Sequence, residues 1–368
     1  MNFLKTIFKS VVDWYIYNTV SDIDTISAVC EKTLSFMEYH KLDMLYYDYL
    51  IANDIEIPKE VEIRLREKKE FIINKNMHYL SLADKITTHF KESDPFIVLK
   101  GVALMTYKYK KIYHRSFNDV DFLISEKDID KLEEYILKSG YVHGIEDLEN
   151  HSIKVASRAE ILFQRMYTHE LYGFIKRIEE PNKNFFSRID VNFKFSWNGV
   201  DCFPKINFDH RYVLDNYFVQ SAYNKTIRIL KDELQFIHLC CHFYNEAMFF
   251  ALDKCYKEGD PREILLNRLF DILLFKENEL DCDKIFKLSK IFNCTAHIAY
   301  VLKIIIRILG NRYFSGLNSL YRDEITKIDY DIYASKKNIP MIWEIDIDTR
   351  IFDLNKKRMY LNGKCLDE

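Results

Sequence analysis

Asn118-Asp-Val-Asp-Phe-Leu-Ile124 is the stretch that decides the fold. Phe117 to Ser125 reads as a strand in which Asp119, Asp121 and Leu123 occupy alternate positions. Residues i and i+2 of a strand project from one face, so the two carboxylates can converge on a single divalent cation. Mg²⁺ prefers hard oxygen ligands and is commonly held by one or two carboxylates together with substrate phosphates. A D-x-D in a strand also arises on solvated edges, so its neighbours decide what it means.

Upstream, the apolar run Pro95-Phe-Ile-Val-Leu99 predicts a buried strand. Lys100-Gly101 then turns into a predicted helix from Val102 to Tyr113, with Ala103, Leu104 and Tyr107 on its inner side. Backbone N–H groups at such a helix start receive phosphate oxygens, aided by the helix dipole. Gly101 would allow close approach, and Lys100 and Arg115 would add positive charge. Downstream, Asp128 to Ser139 predicts a helix closed by Gly140, and Tyr141-Val-His143 begins another strand. Ile161 to Phe163 and Tyr167 to Ile175 are read as strands of a meander, and Glu179 to Asn184 as a turn. Ser187 to Phe195 alternates cleanly: Ile189, Val191, Phe193 and Phe195 against Arg188, Asp190, Asn192 and Lys194. If this strand lies beside the D-x-D strand, Asp190 completes a carboxylate triad able to serve one or two metals.

The flanks are helical in pattern. Met1 to Asn18 has the spacing of a short amphipathic helix that packs on the protein body. Ser21 and Asp22 are candidate caps for a helix carrying Ile26, Val29, Leu34 and Met37. Ile57-Pro58 breaks the pattern, and a long charged amphipathic segment follows. From Asp232 the chain is helical again, with predicted helices at Leu265–Phe275, Ile285–Phe292 and Thr295–Leu309. The expectation is an α+β protein in three parts: N-terminal helices over 1–94, a mixed-sheet core over 95–215, and a C-terminal helical domain over 216–368.

Composition narrows the function. The 53 basic and 56 acidic residues give a net charge of −3, so the chain lacks the basic footprint of a protein that wraps long nucleic acid. No run is long enough to span a membrane. The 8 cysteines form no C-x-x-C pair, which disfavours a zinc site and reads as reduced thiols of a cytoplasmic protein.

Val98-Leu-Lys-Gly101, Tyr109, Arg115 and Asn118 to Ile124 together resemble the signature of the bacterial uncharacterised nucleotidyltransferase family. That signature runs L-K-G, a tyrosine-bearing helix, then R-x-x-x-D-I-D-L-L-V. The family belongs to the DNA polymerase beta-like nucleotidyltransferase superfamily. Ile189 to Phe195 resembles its later strand, with Asn192 where the family usually has His. Asp232 to His242 and Asn267 to Asp271 resemble two of its helical segments. The resemblance implies Mg²⁺-dependent transfer of a nucleoside monophosphate, by default AMP from ATP, to a hydroxyl or similar acceptor on a small molecule or peptide. It assigns Asp119, Asp121 and Asp190 to metal and catalysis. Lys100, Gly101 and Arg115 go to the nucleotide, and a pathway partner protein is an open possibility. The alternatives are a protein- or RNA-modifying, toxin-like enzyme and a catalytically silent nucleotide-binding module.

Other residues have plainer readings. His238 and His242 lie four apart on one helix face without the intervening Glu of a metalloprotease motif. They read as packed histidines, with His242 also a candidate for lining the cleft. His169-Glu170 is a candidate for facing the acceptor. Lys108, Lys110, Lys111 and His114 read as a solvated basic face, and Lys231 and Lys254 as candidates for reaching phosphates.

Overall fold

Apolar residues at helical spacing give the first helix one buried stripe. In the computed structural model, α1 (Asn2–Tyr17) buries Leu4, Ile7, Phe8, Val11, Val12 and Tyr15. Each such side chain contributes roughly 1.5–3 kcal/mol when fully removed from water. The described residues are 2–19, 29–90, 96–147, 149–180, 183–195, 206–247, 264–329, 332–334, 340–342 and 346–353. Ser21, Asp22 and Ile26, the expected start of the second helix, and Pro95 lie outside them. After α1 come α2 (Glu31–Tyr39), α3 (Asp43–Ala52) and α4 (Lys59–His89), the last beginning just after Pro58.

The chain divides into two units. One comprises Met1–Leu65, Asp201–Asn207 and Phe236–Glu368, the other Arg66–Val200 and Phe208–Gln235. This partition differs from the three-part expectation. N-terminal and C-terminal helices share one unit, because α1 packs against α3 and against a helix near residue 300. The sheet also runs past residue 215.

The sheet unit begins with β1 (Ile97–Leu99), whose three residues are all buried, followed directly by α5 (Lys100–Tyr107). Then come β2 (Asp119–Leu123), α6 (Ile129–Lys138), β3 (Val142–Asp147), β4 (Ser152–Val155), α7 (Arg158–Tyr167), β5 (Phe174–Glu180), β6 (Lys183–Asn192), α8 (His210–Asp215), β7 (Tyr217–Ala222) and β8 (Lys225–Leu230). The strand order is β4-β3-β5-β6-β2-β1-β8-β7. It is a mixed sheet: β2 pairs with β6 in parallel and with β1 antiparallel, and β1 pairs with β8 in parallel. The α+β expectation, a mixed sheet flanked by helices, therefore holds. The expected strand at Ile161–Phe163 is instead part of α7, started by a capping box in which Ser157 and Glu160 cap each other. No residue of α7 is buried, so its apolar Leu162, Phe163 and Met166 mark no core face.

The helical unit continues with α9 (Asp232–Asn245, of which residues from Phe236 belong here), α10 (Leu266–Leu273), α11 (Cys282–Ile291) and α12 (Thr295–Leu309). The short α13 (Ser315–Leu320) and α14 (Arg322–Lys327) follow, then the hairpin β9 (Ile332–Ala334) and β10 (Pro340–Ile342), and α15 (Ile347–Phe352). Its core is aromatic: Tyr15 meets Phe270 edge-on at 5.3 Å between ring centroids, and Trp14 meets Tyr49 at 5.6 Å. Among the described residues Cys30, Cys240, Cys241, Cys282 and Cys294 are free thiols; Cys202, Cys255 and Cys365 lie outside them. No helix among the described residues is long and apolar enough to cross a membrane.

One buried group makes this unit sensitive to acid. His297 is buried on α12 against the ring of Tyr244, 4.2 Å between centroids, and its Nδ1 finds no hydrogen-bond partner among the described residues. Burial pushes its imidazole from 6.5 down to about 3. The folded state thus excludes a proton that the unfolded chain takes up. Stability is full above pH 6.5 and is lost as pH falls toward 3, by about 2 kcal/mol at pH 5. Urea unfolding should show His297→Leu flattening this decline; an unchanged slope would show that His297 is protonated in the fold.

Candidate active site

The parallel pairing of β2 with β6 sets the geometry. Asp119 lies opposite Arg188, and Asp121 lies opposite Asp190. Side chains at paired positions of adjacent strands share a sheet face. The D-x-D pair and Asp190 therefore belong to one surface, as the alternation in the two strands required.

Helix α4 fastens the start of β2 to the middle of β6. The buried Tyr79 hydroxyl donates to the carbonyl of Asn118, just before β2, and accepts from the Arg188 N–H of β6 at 3.2 Å. Asn76 donates through Nδ2 to the carbonyls of Ile112 (2.6 Å) and Arg115 (2.8 Å), and Lys75 donates to Asn118 Oδ1 at 2.9 Å. The Ser187 hydroxyl bonds His78 Nε2 at 2.9 Å and the Tyr141 hydroxyl at 2.8 Å. One helix face thus holds the loop before β2 and the middle of β6 in a fixed relation.

The site is rich in negative charge. Burial, then Asp119, Asp121 and Glu170 in turn, push the Asp190 carboxyl well above the usual carboxylate range, and Lys100 partly offsets them. Burial also raises Glu170; Lys100 counters that rise, and Asp121 and Asp119 add to it. Lys100 meets the excess directly, its Nζ lying 2.8 Å from Asp121 Oδ1. The Lys100 backbone has φ +49°, a left-handed conformation unusual for a side-chain-bearing residue, in the turn between β1 and α5. Burial, Lys100 and Lys194 push the neighbouring His169 from 6.5 down to about 3, so it is neutral at pH 7.

A cavity of about 430 Å³ opens on this face, with Asp119, Asp190, Gln164, Tyr172, Gly173 and Arg188 in its lining. That volume suits a small-molecule substrate. Gly173 lets the backbone pass close to Asp190: a Cβ there would stand 3.2 Å from Asp190 Oδ1. The available donors are hard carboxylate oxygens, the chemistry that Mg²⁺ takes. Among the described residues, no three His, Cys, Asp or Glu side chains are drawn together as a ready-made metal cage. Instead an ammonium group stands on Asp121.

The remaining expected residues are placed as follows. Gly101 is buried, and a Cβ on it would meet the Phe117 ring at 3.0 Å, so its smallness serves the packing of the turn against the approach to β2. Arg115 is buried and donates through Nη1 to the Ser116 carbonyl at 2.6 Å. Of the basic cluster, Lys108 pairs with Asp232 at 2.9 Å and His114 is buried. Asn192, which stands where the resembled family has His, donates to the Phe122 carbonyl at 3.3 Å. His242 belongs to the helical unit, where it contacts Arg268 and lies 3.5 Å from Glu246. Lys231 is exposed, and Lys254 lies outside the described residues. Tyr79 and Gly173 went unread in the sequence because their roles depend on long-range contacts. Arg188 was visible only as a polar position of the β6 alternation, and Glu170 only as half of a His-Glu pair.

Known proteins bear on this arrangement. A family model described as "Uncharacterised nucleotidyltransferase" matches residues 28–310. No curated protein matches the chain. Among solved structures, an antigenic nucleotidyltransferase-like protein from Paracoccidioides brasiliensis is 13% identical with a TM-score of 0.36, covering 66% of this chain and 92% of its own. JHP933 from Helicobacter pylori is 16% identical with a TM-score of 0.32, covering 70% of this chain and 85% of its own. Both likenesses are loose.

The Lys100–Asp121 pair makes stability depend on a cation at Asp121. Without divalent metal, Lys100→Met should cost about 2 kcal/mol, because it strands a carboxylate that is 8% exposed. Thermal unfolding in EDTA should show the loss, and saturating Mg²⁺ should restore most of it. A variant whose melting temperature ignores Mg²⁺ would contradict cation binding at this carboxylate.

Proposed function

The chain belongs to the uncharacterised nucleotidyltransferase family, and from that premise we propose that it transfers a nucleoside monophosphate, AMP from ATP, to a hydroxyl on a small molecule or peptide. The observation that carries the reading is the carboxylate face of β2 and β6, where Asp121 and Asp190 are register partners and Asp119 lies two residues away. In this reading Asp119 and Asp121, joined by Asp190, hold Mg²⁺. The ion would neutralise the triphosphate and favour departure of pyrophosphate.

The protein groups divide the remaining work. The acceptor oxygen forms a bond to the α-phosphorus while the bond to the bridging oxygen breaks and pyrophosphate leaves. Asp190, on the same sheet face as the D-x-D pair and in the lining of the cavity, is placed to take the acceptor's hydroxyl proton. Were a divalent cation to occupy Asp121, the Lys100 ammonium that now pairs with it would be available to the phosphates. The turn that carries it opens α5, whose first N–H groups would be further donors for an anion. Arg115 and Gly101 support this turn and the approach to β2. The buried free thiols Cys240, Cys241 and Cys294 suit a reducing, cytoplasmic setting.

A silent nucleotide-binding module is the second reading, and the Lys100–Asp121 contact favours it, since an ammonium there satisfies a metal ligand without metal. Labelled NTPs separate the two. With Mg²⁺ and a metabolite extract as acceptor source, the transfer reading expects one NTP to be consumed with release of pyrophosphate. Asp119→Asn/Asp121→Asn should reduce this by at least about 1,000-fold, the scale of removing a principal electrostatic element. Binding without turnover would establish the silent module, and Mg²⁺-dependent binding unchanged in the double variant would refute the site.

Gly173→Ala probes the placement of Asp190. The added methyl must displace that carboxylate by a few tenths of an ångström. Transfer should fall about tenfold with NTP affinity unchanged, since small misplacements of reacting groups cost rate rather than binding. An equal loss of affinity would mean that Asp190 serves binding alone.

A further inference from the structure

A second cavity of about 590 Å³ adjoins the first within the sheet unit. Both linings include Glu146 and Arg188. These two side chains are joined at 2.5 Å, so a single ion pair stands between the cavities. The charged linings differ in sign. Asp119, Asp190 and Glu146 outnumber Arg188 in the first cavity; in the second, Lys75, Arg177 and Arg188 face Glu146 and the Glu179 carboxylate that Arg177 holds at 2.6 Å, which leaves the excess cationic. A bare anion is repelled by the first and attracted by the second, with no metal needed.

The second cavity is also aromatic. Phe71, Phe185 and Phe186 line it, with Phe71 edge-on to Phe185 at 6.3 Å. Its cations lie over those rings: Arg177 is 6.0 Å from the Phe186 ring centre, and Lys75 is 5.5 Å from that of Phe71. Arg177 and Phe186 are cross-strand partners of β5 and β6, so the sheet register enforces their pairing. Lys75 bonds the side chain of Asn118, the residue before Asp119. Asn118 itself lines this cavity, so the cavity reaches the residue next to the D-x-D pair.

Resting on the nucleotidyl-transfer reading, we propose that this cavity is the acceptor site, and that the acceptor is a planar aromatic molecule carrying a carboxylate. The phenylalanines take the ring. Arg177 and Lys75 take the anion, and the acceptor hydroxyl points past Arg188 toward Asp119 and Asp190. The nucleotide is not the occupant, because its triphosphate enters with a divalent cation and belongs on the acidic side.

The test uses 6-hydroxy-2-naphthoate as probe and the full-length chain, without Mg²⁺ or NTP. Calorimetry should show saturable one-to-one binding, with neutral 2-naphthol at least tenfold weaker. Arg177→Glu, at an exposed position, and Phe186→Ala should each weaken the naphthoate at least tenfold, while circular dichroism confirms that both fold. Asp121→Asn should leave binding within threefold, and ATP with Mg²⁺ should not displace the probe. Absence of saturable binding, indifference to Arg177→Glu, or competitive displacement by ATP would each overturn the assignment. If NTP turnover is intact but naphthoate binding fails, only the acceptor site is lost. A wild-type chain that binds no NTP sinks the transfer reading and the acceptor role together, whatever the naphthoate does.

Discussion

Two carboxylates on neighbouring strands, Asp121 and Asp190, stand opposite each other in the parallel pairing of β2 and β6. Like charges so placed repel, and burial raises the cost. Such an arrangement persists only where something cationic answers it. In the protein alone that answer is Lys100, delivered by a strained turn directly after the shortest strand of the sheet. Much of the surrounding architecture bears on this one juxtaposition. Tyr79 ties the approach to β2 to the middle of β6, Gly173 makes room for Asp190, and β1 brings the Lys100 turn level with Asp121.

In the proposed reading, exchange of one cation for another would link structure to function. An ammonium on Asp121 keeps the face electrically tolerable and leaves an oxygen-rich site for a harder cation. Because Lys100 is tethered close by, releasing it from Asp121 also frees a positive charge next to the helix start. Opposite charge on the two sides of the Glu146–Arg188 pair extends this logic. One cavity has an acidic lining and the other a more basic one, the division that the proposed two-substrate transfer would use.

Much of this was legible in the sequence, for local reasons. Alternation in Asp119–Leu123 and in Ser187–Phe195 put the three aspartates on polar faces, because strand periodicity is a property of the chain itself. The neighbour relation of those strands was only conditional, since register depends on pairing across nearly seventy residues. Tyr79 was illegible as a site residue for the same reason, and Glu170 was legible only within the His169-Glu170 pair. Other misses were readable signals passed over. Ser157 and Glu160 have the spacing of a capping box, which outweighs the strand-like apolar run Ile161–Phe163 after them. The β7–β8 hairpin turns at Tyr223-Asn224, both with positive φ, a conformation that Asn accepts and Tyr rarely adopts, so half of its signature was missing.

The most direct test of the central claim is to locate a metal. Crystals of the chain soaked with Mn²⁺ and a non-hydrolysable ATP analogue should show an anomalous peak on the carboxylates of Asp119 and Asp121, with Lys100 withdrawn from Asp121 toward the phosphates. Manganese bound elsewhere, with Lys100 still on Asp121 and the analogue in place, would contradict it.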